Sequence, residues 1–357
     1  MEVFDHAEAG PRVVFGAGAL AEVPAEAARL GARRVLLIAG RHEKTYADGL
    51  APALAPVARI EDVVVHVPAE TAAAGAAAAT DAGADLIVCL GGGSATGLAK
   101  AIARQTGIAI LAVPTTYAGS ELNPVWGLTA EGRKTTGRDP RVLPRVVVYD
   151  PELTLSLPPQ VSAASGMNAI AHAVEALYAP DAAPETKSEA EEGIGILAAA
   201  LPTVVARPGD LPARTAALRG AWRCGAALAG AAMGIHHTIC HVLGGAYGLP
   251  HAETHAAVLP HTVACVEAFA PTAMARLAAA LGAARDPAKA LWDLTARLGA
   301  PTSLAQLGFR HEDVEAAADL VVAAAARKGL AEPRPVEREW VAELLLGAWD
   351  GARPDET

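Results

Sequence analysis

The feature that most constrains the fold is a set of short apolar, β-branched runs concentrated in the first 150 residues. Five of these runs predict buried strands, at residues 33–40, 63–67, 85–90, 108–113 and 145–150. Alanine-rich amphipathic stretches separate them. Apolar runs that alternate with helical segments predict a parallel sheet covered by helices on both faces. The N-terminal part is therefore predicted to be an α/β domain with a Rossmann-like parallel sheet, which binds ligands at the carboxyl ends of its strands.

The pattern changes after Asp150 and Pro151, where long alanine and leucine stretches with helical periodicity replace the strand signals. The chain has 357 residues, which suits two domains better than one core. We place the boundary at Pro158 and Pro159. The prediction is an α/β dinucleotide-binding domain over residues 1–158 and an all-helical catalytic domain over residues 159–357.

The overall charge excludes several classes of partner. A net charge of −10 argues against nucleic acid or an anionic membrane as the main partner. The first five residues lack the basic start and apolar core of a signal peptide, and no apolar stretch reaches membrane-spanning length. The four cysteines form no CxxC pair, which is typical of buried thiols in a reducing compartment. We expect a cytoplasmic protein.

Two loops follow predicted strands and suit a phosphate-bearing ligand. Gly91, Gly92, Gly93 and Ser94 lie between the third strand and a helix, where free backbone N–H groups and the helix dipole favour an anion. The spacing is not GxGxxG, and a tight strand–helix turn is the alternative. After the fourth strand, Thr115, Thr116 and Ser120 supply hydroxyls at the same sheet edge, although such hydroxyls also serve as caps. Together the loops predict a dinucleotide site.

Histidines dominate the helical half of the chain. Asn168 and His172 form an i, i+4 pair, and so do His237 and His241, so each pair shares one face of a helix. His251 follows His237 by fourteen residues. A single histidine is usually structural, but His236, His237, His241, His251 and His255 make five of the eleven histidines within twenty residues. The group predicts a polar site, although His236, His255 and His261 could each be structural.

These motifs, in this order and spacing, resemble the iron-containing (group III) alcohol dehydrogenase family. The matching segments are the Gly91 loop, residues 114–116, 150–151, 166–175 and 237–261. The resemblance implies the dehydroquinate synthase-like architecture of that family, with a cleft between the domains and a homodimer. Within the family the chain is most similar to the maleylacetate reductases. That similarity implies NAD(P)H-dependent reduction of maleylacetate to 3-oxoadipate in aromatic-compound degradation.

Asn168 stands where the metal-dependent members of the family carry an aspartate. Family metal sites combine imidazoles with one carboxylate, and a neutral amide oxygen is a weak substitute. His172, His237 and His251 could still hold zinc, since sites with three histidines exist. We nevertheless predict no metal. Hydride addition to the carbon–carbon double bond of maleylacetate would leave an enolate, which hydrogen-bond donors can stabilise and a histidine can protonate. A site without a carboxylate also suits a dianionic substrate.

We assign roles within this hypothesis. His241 is the predicted proton donor, His172, His237 and His251 bind carboxylates or polarise the ketone, and Asn168 donates an N–H group. Tyr117 and Arg223 are predicted to bind substrate, with packing and an ion pair as the respective alternatives. Lys134 is predicted to contact the cofactor, with a solvated lysine as the alternative.

The choice between the two nicotinamide cofactors is open from the sequence. After the first predicted strand come Ala39, Gly40, Arg41 and His42, with no acid to bind a ribose 2′-hydroxyl. Arg41 could accept a 2′-phosphate, whereas the family resemblance favours NADH. The alternative functions are a metal-dependent alcohol dehydrogenase or aldehyde reductase, a polyol-phosphate dehydrogenase, and a non-catalytic nucleotide-binding protein.

Overall fold

A computed structural model describes residues 1–4, 10–65, 67–130, 133–330 and 332–354 of the chain. By backbone contacts the chain divides into two compact units, Met1–Leu157 and Pro158–Thr357. Among the described residues, no helix is both long enough and apolar enough to cross a membrane.

The first unit is built on a parallel sheet. Its strands are β1 (Glu2–Phe4), β2 (Arg12–Phe15), β3 (Val35–Ala39), β4 (Ala58–Ile60), β5 (Leu86–Gly91), β6 (Ala109–Pro114), β7 (Val125–Ala130), β8 (Arg133–Arg138) and β9 (Val146–Tyr149). Its helices are α1 (Val23–Arg29), α2 (Lys44–Leu54), α3 (Ala69–Asp81) and α4 (Gly93–Thr106). The order of the seven-stranded sheet is β1-β2-β9-β6-β5-β3-β4, in which β1 pairs antiparallel with β2 and the other described pairs are parallel. Strands β7 and β8 form a separate antiparallel hairpin. The predicted α/β domain with a parallel sheet is confirmed.

Four of the five predicted strands correspond to β3, β5, β6 and β9, and the one predicted at residues 63–67 was wrong. The neighbouring strand is β4, which ends at Ile60. Val65 is 66% exposed, and Val67 has a φ of 48° immediately before Pro68. Val63 and Val64 are half-buried and Val67 is buried, but none of the described residues of this run joins a strand of the large sheet, so the burial does not produce a strand. His66 lies outside the described residues.

The second unit is helical. Its helices are α5 (Pro159–Tyr178), α6 (Pro184–Ala206), α7 (Leu211–Ala229), α8 (Ile235–Tyr247), α9 (His251–Val266), α10 (Pro271–Ala280), α11 (Pro287–Arg297), α12 (Val314–Lys328) and α13 (Arg338–Asp350). Apolar residues of α8, α9, α12 and α13 form one core. Helix α5 packs against α6, α7 and α9. The predicted helical C-terminal half is confirmed.

Close packing around α5 fixes its position. A Cβ atom on Gly166 would lie 2.6 Å from the side chain of Leu201 on α6, so a larger residue there would require Leu201 to move. Residues 162–177 of α5 are all buried. Polar residues on this helix therefore sit in the interior, where they need partners or a ligand.

Candidate active site

The glycine loop of the first unit lies at the carboxyl end of β5 and leads into the N-terminus of α4. Gly91 has a φ of 150°, and Gly92 is the residue that precedes the helix. A Cβ atom on Gly92 would lie 2.8 Å from Thr116, so the glycine and threonine loops touch each other. Backbone N–H groups at the start of a fourteen-residue helix, with no side chain at Gly92 or Gly93, form a cradle that fits a pyrophosphate.

A buried lysine holds the second loop. Lys100 of α4 is 1% exposed, and its Nζ donates to the carbonyl oxygens of Ser120, Asn123 and Val125. Burial lowers the pKa of Lys100 to about 7, and the nearby Glu121 carboxylate opposes this shift. The Ser120 hydroxyl is buried without a partner. The loop therefore has a fixed shape and an unused hydroxyl, as a binding loop requires.

Three helices of the second unit bring six imidazoles together. Asn168, His172 and Glu175 lie along one face of α5, His236, His237 and His241 lie on α8, and His251 and His255 begin α9. The ring centroids of His172 and His237 are 4.9 Å apart, and those of His237 and His255 are 4.6 Å apart. His251 lies 4.5 Å from His255 and 5.9 Å from His241. We call this group the histidine cluster.

Glu175 controls the proton on His237. Its carboxylate contacts His237 Nδ1 at 2.5 Å and accepts the backbone N–H groups of Gly234 and His237 at the N-terminus of α8. Burial raises the pKa of Glu175 to about 8, the Glu332 carboxylate adds to the rise, and the backbone N–H groups oppose it. At neutral pH the pair then holds two protons. One of the two protons lies between the Glu175 carboxylate and His237 Nδ1. Whichever of these groups carries it, the second proton is on His237 Nε2.

A second chain of hydrogen bonds sets the tautomer of His255. Thr262 Oγ1 donates to the Val258 carbonyl, so it accepts from His236 Nδ1 at 3.3 Å. His236 Nε2 is then the acceptor for His255 Nδ1, 2.9 Å away. This leaves His255 Nε2 as a bare acceptor facing the cluster.

Several polar atoms at the centre of the cluster are buried without partners. They are Asn168 Oδ1, His172 Nδ1, His237 Nε2 and His255 Nε2. Burial lowers the pKa of His172 to about 4 and that of His237 and His255 well below the usual value. Unpartnered buried polar atoms cost free energy, and in a functional site they mark the atoms that face a ligand.

Comparisons with known proteins agree with this architecture. Residues 10–151 match the model described as iron-containing alcohol dehydrogenase, and residues 162–349 match that of the C-terminal part of the Fe-containing alcohol dehydrogenase family. The chain belongs to the iron-containing alcohol dehydrogenase family. It is 49% identical to the maleylacetate reductase of Burkholderia cepacia, over 96% of this chain and 97% of that protein.

A relative from Rhizobium sp. and a solved structure extend this similarity. The chain is 47% identical to the Rhizobium maleylacetate reductase, over 99% of this chain and all of that protein. The crystal structure of maleylacetate reductase from Agrobacterium tumefaciens superposes with a TM-score of 0.91 at 46% identity, over 99% of this chain and 100% of that one. The similarity therefore covers both units of the iron-containing alcohol dehydrogenase fold.

The donor atoms of the histidine cluster are imidazole nitrogens and the amide oxygen of Asn168, a set that differs from the imidazoles and carboxylate expected of a family metal site. The acid nearest to them, Glu175, is already bound by His237 and by backbone N–H groups. Among the described residues, the group with ligand atoms within 4.8 Å of one another is His236, Cys240 and His255, a different set from the family positions. In that group the two imidazoles hydrogen-bond each other, and burial raises the pKa of the Cys240 thiol well above its usual value.

Two predicted substrate-binding residues are already engaged in contacts or packing within their own units. Arg223 on α7 forms ion pairs with Glu189 and Glu192 of α6, at 2.6 and 3.4 Å. Its guanidinium is thus held by two carboxylates, as the ion-pair alternative expects. Tyr117 is fully buried, which the packing alternative also expects. The substrate-binding roles of both residues stay predictions. Lys134 lies in β8, but its side chain is outside what the structure describes.

Three residues with a place in these sites were missed or left aside. His255 lies at the centre of the cluster and Glu175 lies behind the His237 ring, on its Nδ1 side, and helical spacing from His251 and His172 could have indicated both. Glu43 accepts the Thr115 hydroxyl at 3.1 Å, beside the glycine loop. It follows Gly40 by three residues, just beyond residues 39–42, in which the sequence has no acid.

Proposed function

We propose that the chain is a nicotinamide-dependent maleylacetate reductase that reduces the carbon–carbon double bond of maleylacetate to give 3-oxoadipate without a bound metal. The observation that carries this proposal is the set of buried, unpartnered atoms on Asn168, His172 and His237, three side chains that can each present an N–H group, with no free carboxylate among them. Such a surface suits a small dianion, which a carboxylate would repel. The similarity to maleylacetate reductases over both units supports the same substrate.

Binding of the dianion requires N–H donors. His237 Nε2 carries a proton while the Glu175 pair holds two, and a neutral His172 can carry its single proton on Nδ1. Rotation of the Asn168 amide presents Nδ2 where Oδ1 now lies. Each of these groups can then donate to a carboxylate or to the ketone oxygen. His251 is the remaining candidate for a carboxylate, through its place beside His255 and His241.

The reaction needs an oxyanion site and a proton donor. The reduced nicotinamide supplies a hydride, which adds to the alkene carbon β to the ketone. The resulting enolate oxygen accepts from His237 Nε2, where burial strengthens the hydrogen bond. We assign the proton for the α carbon to His241, whose side chain is half-buried and lies one turn after His237. Partial exposure lets this imidazole recover its proton from solvent.

Cofactor and assembly complete the proposal. Gly91, Gly92 and Gly93 with Ser94 bind the pyrophosphate, and Thr115, Thr116 and Ser120 bind the neighbouring ribose or phosphate. We assign NADH as the preferred cofactor and keep Lys134 as a candidate contact. We also propose a homodimer, which light scattering after size-exclusion chromatography tests through the mass in solution.

The test is NADH oxidation at 340 nm with freshly generated maleylacetate, before and after exhaustive EDTA treatment, with bound metals counted by elemental analysis. We expect the same rate in both samples and less than one equivalent of iron or zinc. The Cys240→Ser variant should behave identically, because no ligand role is assigned to the thiol. Activity that is lost on chelation and restored by metal would overturn the metal-free mechanism. Turnover of simple aldehydes but not of maleylacetate would identify a metal-dependent alcohol dehydrogenase instead.

A further inference from the structure

An acidic side chain lies across three strand ends of the first unit. The sheet order places β3 and β6 on either side of β5, the strand that leads into the glycine loop. In open α/β sheets that bind dinucleotides, the strand beside the phosphate-binding strand ends at the adenine ribose. Side chains at that point distinguish a ribose 2′-hydroxyl from a 2′-phosphate. In this chain that strand is β3, which ends at Ala39.

The carboxylate of Glu43 occupies this point. Its Oε1 accepts the Thr115 hydroxyl at 3.1 Å, just after the end of β6. A Cβ atom on Gly40 would lie 3.0 Å from Oε2, and one on Gly91 would lie 3.7 Å from the carboxyl carbon. The side chain thus touches the ends of β3, β5 and β6, and glycines at two of them leave room for it.

The charge of Glu43 is available to a ligand. Its partner Thr115 is neutral, so the hydrogen bond orients the carboxylate without cancelling its charge. The side chain is half-buried, and limited contact with water weakens the screening of that charge. Arg41, which the sequence suggests as a 2′-phosphate ligand, is exposed two residues earlier.

We propose that Glu43 makes the enzyme select NADH over NADPH. The carboxylate accepts a ribose hydroxyl of NADH, whereas the 2′-phosphate of NADPH would place a second anion beside it, and like charges at such a site oppose binding. Thr115 is the positioning residue, because its hydroxyl holds the carboxylate over the strand ends. The proposal rests on the nicotinamide-dependent function above, and it names the cofactor that this function uses.

The test measures dissociation constants for NADH and NADPH by nicotinamide fluorescence, without maleylacetate. We expect the wild-type protein to bind NADH about tenfold or more tightly than NADPH. In Glu43→Gln this ratio should fall by about tenfold, mainly through tighter NADPH binding, because the amide is neutral. Asp81→Asn is the matched control. It makes the same charge change at an exposed residue that ends α3, before β5, and should leave the ratio unchanged.

Two further variants separate the alternatives. Thr115→Val keeps the charge of Glu43 but removes its hydrogen bond, so the preference for NADH should weaken less than in Glu43→Gln. Arg41→Ala should not alter NADPH binding. An unchanged cofactor ratio in Glu43→Gln, or a wild-type preference for NADPH that Arg41→Ala abolishes, would overturn the proposal. The binding assay contains no maleylacetate, so it tests the role of Glu43 even if the protein does not reduce maleylacetate.

Discussion

Glu175 gives the clearest quantitative prediction, because it sets the proton on His237 without facing the substrate. Burial raises the pKa of this carboxyl to about 8. The two-proton form of the Glu175–His237 pair, which places a proton on His237 Nε2, is then the major form at pH 7 and the minor form above pH 8. If His237 donates to the enolate, the turnover rate should fall by about tenfold for each pH unit above the pKa. Between pH 7 and pH 10 the fall is about a hundredfold.

Two substitutions should change this fall in rate at high pH, the basic limb of the pH profile, in opposite directions. In Glu175→Gln the amide donates to His237 Nδ1, so Nε2 keeps its proton at every pH and the limb should disappear. In Glu332→Gln the limb should move to lower pH, because the Glu332 carboxylate helps to raise the pKa of Glu175. Lys328 and Tyr178 also lie near Glu175 and remain unchanged in both variants.

The assay is the pH dependence of kcat from pH 6 to pH 10.5 at saturating NADH and maleylacetate. At pH 7, Glu175→Gln should retain activity within about tenfold of the wild type, since the amide still donates to His237 Nδ1 and its oxygen still accepts the His237 backbone N–H, although the Gly234 N–H loses its acceptor. A basic limb that persists unchanged in Glu175→Gln would refute the reasoning and assign the titration to another group. Thermal unfolding of each variant at pH 7 separates loss of function from loss of fold.

The remaining predictions concern stability and the centre of the histidine cluster. Burial lowers the pKa of His172 and His261 to about 4 and of His236 to about 3, below their unfolded value of 6.5. Their contribution to stability is therefore complete above pH 6.5 and is lost as the pH falls towards 4. From pH 7 to pH 5, each of these histidines should lower the free energy of unfolding by roughly 2 kcal/mol, and the raised pKa of Glu175 partly offsets this loss. Urea unfolding at the two pH values measures the difference. His237→Ala should lower kcat by about a hundredfold or more because the enolate loses its donor, whereas His261→Ala, a buried change on α9, should affect stability but not kcat. Lys100→Met should lower the free energy of unfolding by about 3 kcal/mol or more, because three loop carbonyls lose a buried donor. Asn168→Asp should raise KM for maleylacetate by about tenfold or more while the Kd for NADH stays constant, since the new carboxylate repels the dianion; an unchanged KM would contradict that assignment.

Much of the architecture follows from local sequence patterns. The runs that became β3, β5, β6 and β9 are buried on both faces, so continuous β-branched sequence was a reliable signal for them. The run at residues 63–67 has the same composition but lies outside the sheet. Composition alone cannot distinguish the two cases, because strand formation depends on a neighbouring strand and on burial.

Strands β1 and β2 and the hairpin of β7 and β8 were not predicted. β1 and β2 have three and four residues; β1 lies at the sheet edge and pairs with β2, and β2 pairs with β9. β7 is half-buried along most of its length, so it lacks a continuous apolar run. Short strands of this kind depend on contacts distant in sequence, which local patterns do not carry.

The histidine cluster was predictable as a group but not in its internal order. Spacing placed Asn168 with His172 and His237 with His241, and the structure brings these helices together. Which nitrogen of each ring bears a proton depends on Glu175, Thr262 and His236, which approach from other turns and other helices. A sequence gives the residue types of such a network, whereas the direction of its hydrogen bonds requires coordinates.

The position of Glu175 explains how a site can lack a facing carboxylate and still control a proton. Asn168, His172 and Glu175 share one face of α5, so the acid lies nearly two turns after the asparagine. There it binds the N-terminus of α8 and the far side of the His237 ring, and the imidazole stands between the carboxylate and the centre of the cluster. A negative charge at residue 168 would oppose a dianion directly. The same charge at residue 175 acts through His237, where it determines whether Nε2 can donate, and this separation lets one helix supply both a neutral binding surface and an acid–base control.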